Sequence, residues 1–156
     1  MSDWQPSASL DALAARASLL QQLRAFFAAR AVLEVETPQI SFATVTDPAI
    51  DALCIAGASP QEPQRFLQTS PEYAMKRLIA AGAGDIYQVA RAFRQGESGR
   101  RHNPEFSLLE WYRLGWNHAA LMREVADLVG EVLDRTGWQV WPYAALFQRV
   151  LGVDPL

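Results

Sequence analysis

FRQGESGRRHNPEFSLLEWY, residues 93–112, is the stretch that decides the fold. It continues the run Asp85-Ile86-Tyr87-Gln88-Val89-Ala90-Arg91-Ala92-Phe93, which alternates roughly and is rich in β-branched and aromatic residues, so a strand is predicted there with Arg94 at its end. Pro104 to Tyr112 alternates in a second strand. Between them, the polar, glycine-containing segment Gln95 to Asn103 is too long for a two-residue turn, which predicts an antiparallel hairpin with a wide, mobile loop. An arginine fixed where such a ribbon opens, with an aromatic beyond a charged loop, suits ATP. The planar guanidinium forks onto phosphate oxygens.

Working outward, Ser9 is a plausible N-cap, and Leu13, Ala17, Leu20, Leu23 and Phe27 follow at helical spacing, predicting a helix from about Leu10 to Arg30. Residues 1–9, polar and interrupted by Pro6, read as a loose arm. Val32 to Val35 switches to a short strand before Pro38. Ile50 to Ile55 and Phe66 to Gln68 are further short strand candidates, and 57–63 is a loop by composition. Ser70-Pro71-Glu72 carries helix-start chemistry and opens a helix to Ala81. Beyond the hairpin, Leu121, Val125, Leu128, Val129 and Val132 recur at helical spacing, with Asn117 as cap and Gly137 past the end, and a last helix spans about Tyr143 to Leu151. Helices between and after antiparallel strands predict an α+β layer with an exposed sheet edge.

With 156 residues, half of them hydrophobic, the chain can build one globular core but not two comfortable ones. No apolar run approaches the roughly 18 residues of a membrane span, and no signal segment follows Met1, so a cytoplasmic protein is expected. Cys54 is the single cysteine, which excludes an internal disulfide, and with His102 and His118 the only histidines no Cys/His zinc site can form. A net charge of -3 argues against a sequence-independent grip on nucleic acid. Yet Arg91 to Arg113 holds five arginines against Glu97, Glu105 and Glu110, a focus that fits a small polyanion.

Arg94, the loop, Arg101-His102-Asn103-Pro104-Glu105-Phe106 and Glu110-Trp111-Tyr112 together resemble motif 2 of the class II aminoacyl-tRNA synthetases in the form of the lysyl branch. The similarity is strongest to the lysyl-type ligases that attach β-lysine to elongation factor P. FFAARAVLEVETPQI, within residues 26–40, resembles motif 1, which in that family forms a homodimer interface and places Pro38 near the active site. Motif 2 would span about 87–113. A counterpart of motif 3 is missing, so the resemblance implies the N-terminal portion of a catalytic domain or a shortened descendant, unable to form an adenylate unaided. Only an arm and one helix precede motif 1, where a lysyl-tRNA synthetase carries an anticodon-binding barrel, and this favours elongation factor P over tRNA as acceptor.

The resemblance implies a reaction in which a lysine or β-lysine carboxylate attacks the α-phosphorus of ATP. That nucleophile is already ionised, so the site must position and neutralise rather than remove a proton. Arg94 is then the catalytic cation. Arg94, Gln95, Gly96, Glu97, His102, Asn103 and Phe106 are the implied ATP-binding residues, with Phe106 against adenine or, alternatively, packed in the core. The family glutamate two positions after the arginine is replaced by Gly96, and either the Gly96 backbone or Glu97 fills that role. Arg100 and Arg101 are equally well a solvated loop face. Ser70, Pro71, Glu72, Glu110 and Tyr112 are the implied amino-acid residues, because a buried ammonium needs carboxylate partners. Glu72 has a second reading as a first-turn helix stabiliser, and Met75 and Lys76 read as ordinary helix residues. Mg2+ would accompany ATP, with its ligands expected outside these residues. Two alternatives stand beside the ligase: a lysyl-tRNA synthetase, and a non-catalytic dimerising or nucleotide-binding fragment.

Overall fold

The structure is a computed structural model that describes residues 4–57 and 59–155. The first three residues of the expected arm, residue 58 in the expected 57–63 loop and the final residue lie outside it. Two compact units divide the chain at Trp116 and Asn117.

The first unit opens with α1 (Leu10–Ala28), capped as its sequence predicts: the Ser9 hydroxyl accepts from the Ala12 amide at 3.1 Å. The helix ends two residues before Arg30 because the chain turns there. Ala31 adopts a left-handed φ of 55°, and the Val32 amide bonds back to the Phe27 carbonyl at 3.1 Å, which buries Val32. β1 (Leu33–Glu34) follows and pairs with β5 (Ile86–Phe93), which pairs in turn with β6 (Glu105–Tyr112). The β5–β6 pairing is antiparallel from Ile86↔Tyr112 to Phe93↔Glu105, so the hairpin reads correctly from sequence.

The expected antiparallel pairing holds for β5–β6, and β1 adds a parallel neighbour that the sequence did not announce: Leu33↔Ile86 and Glu34↔Tyr87 are in parallel register. A parallel pair requires a crossover of a dozen or more residues. The chain between β1 and β5 supplies one, carrying β2 (Ile40–Ser41), β3 (Cys54–Ile55), β4 (Arg65–Leu67) and α2 (Glu72–Ala80). β2, β4 and β3 form a second, antiparallel sheet in that order. Of the expected 50–55 strand only Cys54–Ile55 pairs, since residues 47–50 turn, with the Ile50 amide on the Asp47 carbonyl and the Ala49 amide on the Asp47 carboxylate. The second sheet is stitched to β5 by Phe93 N–H to the Gln68 carbonyl at 2.9 Å and by Gln68 Nε2 to the Arg91 carbonyl at 2.7 Å.

The core of this unit is built on alternation. Odd positions of β5 and β6 face α1: Phe27, fully buried, stacks on Tyr87 with centroids 4.3 Å apart and tilts against Trp111 at 5.5 Å. The Tyr87 hydroxyl donates to Glu34 at 2.9 Å, and Glu34 also accepts from Arg24 at 3.1 Å, which ties α1, β1 and β5 together. Burial, then the bond to Glu34, pushes the Tyr87 phenol up to about 12. At the base of the hairpin the largely buried Arg113 side chain donates to Asp85 at 3.0 Å, while Asp85 accepts from the Leu114 amide at 2.7 Å. β6 lies at the edge of its sheet.

The second unit holds α3 (His118–Leu133) and α4 (Tyr143–Leu151). Asn117 caps α3 by accepting from the Ala120 amide at 2.9 Å, as its sequence predicts. The helix stops earlier than Gly137: Asp134 takes the left-handed cap at φ 49°, a conformation that short Asx side chains tolerate. No helix among the described residues is long and apolar enough to cross a membrane.

Candidate functional site

Because side chains alternate along a strand, the face of the hairpin turned away from α1 carries Gln88, Phe106, Glu110 and Tyr112. α2 brings a second set of polar groups. Its start differs slightly from the expected pattern, in that Pro71 stands at the N-cap rather than the first turn, with the Ser70 hydroxyl accepting from the Glu72 amide at 3.3 Å. Met75, fully buried, anchors the helix.

Two clusters result. In the first, Arg94, Glu97, Arg101, His102, Asn103 and Phe106 line one cavity of about 320 Å³. The Arg94 amide bonds to the Pro104 carbonyl at 2.9 Å, so the arginine is held as the ribbon opens. Its side chain donates from Nε to the Thr69 carbonyl at 3.4 Å, lies 3.6 Å from Glu97 and stands 5.1 Å from the centre of the Phe106 ring. Gly96 turns the loop at φ +79°, a value side chains rarely adopt, and Glu97 on the next residue closes onto Arg94. Gln95 and Gly96, both expected to touch ATP, are exposed and are not among the residues lining this cavity. Gln95 instead spends its amide on the Asp51 carbonyl at 2.8 Å.

In the second cluster Glu72, Lys76, Glu110 and Tyr112 interact. The Tyr112 hydroxyl donates to Glu110 at 2.6 Å and Lys76 pairs with Glu72 at 2.5 Å. Partial burial raises the Glu110 carboxyl above the usual carboxylate range; the Tyr112 bond opposes this, the charge of Glu72 adds to it and Lys76 opposes it. Tyr112 is also raised, first by burial and then by its bond to Glu110. Lys76 is raised chiefly by its bond to Glu72. Two mutually repelling carboxylates with one lysine leave an uncompensated negative charge, an environment that favours a cationic ligand. Ser70 and Glu72 also border a cavity of about 190 Å³ with Pro38, Val45, Tyr73 and Arg77, while Pro71 is buried.

Sequence reasoning did not place Lys76 in this cluster, although a glutamate four residues before a lysine on a helix is the spacing that pairs them. It also passed over Gln88, a lone amide within the apolar β5 run whose cross-strand partner is Glu110. Among the described residues no three His, Cys, Asp or Glu side chains converge to hold a metal ion, so the residues present do not fit a magnesium site.

The chain belongs to the class II tRNA synthetases of the D, K and N group, whose family model matches residues 2–150. Its curated relatives narrow the likeness to one branch. Over 158 aligned positions it is 51% identical to the elongation factor P–(R)-β-lysine ligase of Vibrio cholerae, covering 99% of this chain and 49% of that protein. The ligase of the same name from Enterobacter sp. (strain 638) is 49% identical over 98% of this chain and 48% of its own length. That from Proteus mirabilis is 48% identical over 100% of this chain and 49% of its own. The chain thus spans about half the length of the curated relatives it matches.

Proposed function

We propose that this chain forms part of an ATP-dependent ligase that activates lysine or β-lysine and transfers it to a lysine of elongation factor P. In the first step a substrate carboxylate oxygen attacks the α-phosphorus, the α–β phosphoanhydride bond breaks, and pyrophosphate leaves with the bonding electrons. In the second, the acceptor amine attacks the carbonyl of the adenylate, loses a proton and expels AMP. Arg94 neutralises charge on the α-phosphate oxygens while Phe106 stacks on adenine, and His102, Asn103 and Arg101 meet the phosphates and ribose. Glu72 and Glu110, the latter oriented by Tyr112, take the ammonium groups of the amino acid. Magnesium would add charge neutralisation on the phosphates when bound. The protein would act in the cytoplasm as a homodimer through residues 26–40.

The observation that carries this reading is that the cationic, ring-walled cavity and the Glu110–Tyr112 pair lie on one hairpin in a chain about half identical, over its whole length, to such ligases. Titration of ATP into this chain and its Arg94→Ala variant tests the first cluster. Losing a charged hydrogen-bond donor is expected to weaken binding by about tenfold or more; equal heats would remove Arg94 from the site. A form extended to the full length of the relatives should charge elongation factor P, whereas charging of tRNA in its place would favour a lysyl-tRNA synthetase.

A further inference from the structure

The two carboxylates of the amino-acid cluster are held in opposite ways. Glu110 accepts from the Tyr112 hydroxyl at 2.6 Å, a neutral donor that orients the carboxylate and leaves its charge in place. Glu72 instead accepts from the Lys76 ammonium at 2.5 Å, which offsets its charge. That ammonium also feels Glu110, whose charge favours its protonated form, and in return it opposes the rise of the Glu110 carboxyl. One cation of the protein thus lies in the field of both carboxylates assigned to the ammonium groups of a ligand. A glutamate and a lysine four residues apart support a helix wherever they occur. Here the same glutamate is also wanted by the ligand.

The pair is of a kind that opens readily. The Lys76 and Glu72 side chains are 57% and 44% exposed, so water takes up either partner when they separate. Breaking a buried pair strands an unpaired charge, whereas an exposed pair is weak and exchanges partners. The lysine stem is flexible, and its ammonium can swing to solvent as another ammonium takes its place on the carboxylate. We infer that Lys76 is a specificity-determining residue whose ammonium holds Glu72 until a ligand with two ammonium groups displaces it, while a ligand with only one is served by Glu110. This rests on the amino-acid role proposed for that cluster.

The test compares cadaverine, which carries two ammonium groups, with n-pentylamine, the same carbon chain with one, by calorimetric titration of this chain and its Lys76→Met variant. Removing the competitor should tighten cadaverine by about two- to fivefold and change n-pentylamine by less. Lys76→Arg, which keeps a cation beside Glu72, should bind cadaverine no more tightly than wild type. In a Glu72→Gln background Lys76→Met should bring no gain, because no carboxylate is left to free. Unchanged or weaker cadaverine binding in Lys76→Met, an equal gain for both amines, or a gain that survives Glu72→Gln would overturn the role of Lys76 and leave the amino-acid site standing. A wild-type chain and a Lys76→Met variant that both bound neither amine would remove the amino-acid site itself, and this inference with it.

Discussion

Tyr112→Phe deletes one oxygen and isolates the contribution of a single bond. The hydroxyl lies 2.6 Å from a Glu110 oxygen, within the short range typical of a hydroxyl donating to a charged carboxylate. Net values for hydrogen bonds to charged groups run at about 1.5–3 kcal/mol. Glu110 is only half-buried, so water partly replaces the lost donor and the lower end applies, about 1.5 kcal/mol of unfolding free energy at neutral pH. The pH dependence has a definite sign. Folding raises the Glu110 carboxyl, so the folded state holds its proton more tightly, and stability from this group declines as pH rises through the interval up to the folded value. The Tyr112 bond counteracts that rise, and removing it widens the interval upward. The cost of Tyr112→Phe is therefore full at neutral pH and shrinks on acidification, as Glu110 becomes protonated in both proteins. Urea unfolding followed by far-ultraviolet circular dichroism at neutral and mildly acidic pH measures both. A loss below about 0.5 kcal/mol at neutral pH, or one that acidification leaves unchanged, would refute the coupling of this pair.

Phe27→Ala should be the costliest core truncation, at about 3–5 kcal/mol, because the ring is fully buried and touches Phe26, Tyr87 and Trp111; a urea midpoint within experimental error of wild type would show that α1 does not hold the hairpin. Glu97→Ala removes the carboxylate that competes for Arg94, and a partly exposed pair of this kind is worth about 0.5–1 kcal/mol. Pyrophosphate, which has no base to be recognised, should then bind about two- to fivefold more tightly by titration; weaker binding would mean that Glu97 orders the loop instead of competing with the anion.

What the sequence made legible is local. The Ser9 and Asn117 caps, the strand–loop–strand of residues 86–112 and the shared face of Glu110 and Tyr112 all follow from spacings of a few residues, where a helix turn or a strand pleat fixes geometry. What it hid depends on residues far apart in the chain. Val32 to Val35 reads as a strand but nothing within it announces a parallel partner at Ile86 and Tyr87. Gly137 does lie past the end of α3, but that the left-handed cap itself falls on Asp134 is a choice that an ordinary helix-end signal does not announce. Lys76 and Gln88 escaped notice for one reason: each is unremarkable on its own element and becomes meaningful only when α2 and β5 are brought beside Glu110.

The placement of β5 between a distant parallel neighbour and an adjacent antiparallel one sets an order of events during folding. Joining residues 86–93 to 105–112 closes only a short loop, whereas joining them to residues 33–34 must close a far longer one at greater entropic cost. The ribbon bearing Arg94 should thus zip up early and serve as the template onto which the preceding helix and its strand later dock. Substitutions along the ribbon are accordingly expected to slow refolding, and those in α1 chiefly to hasten unfolding.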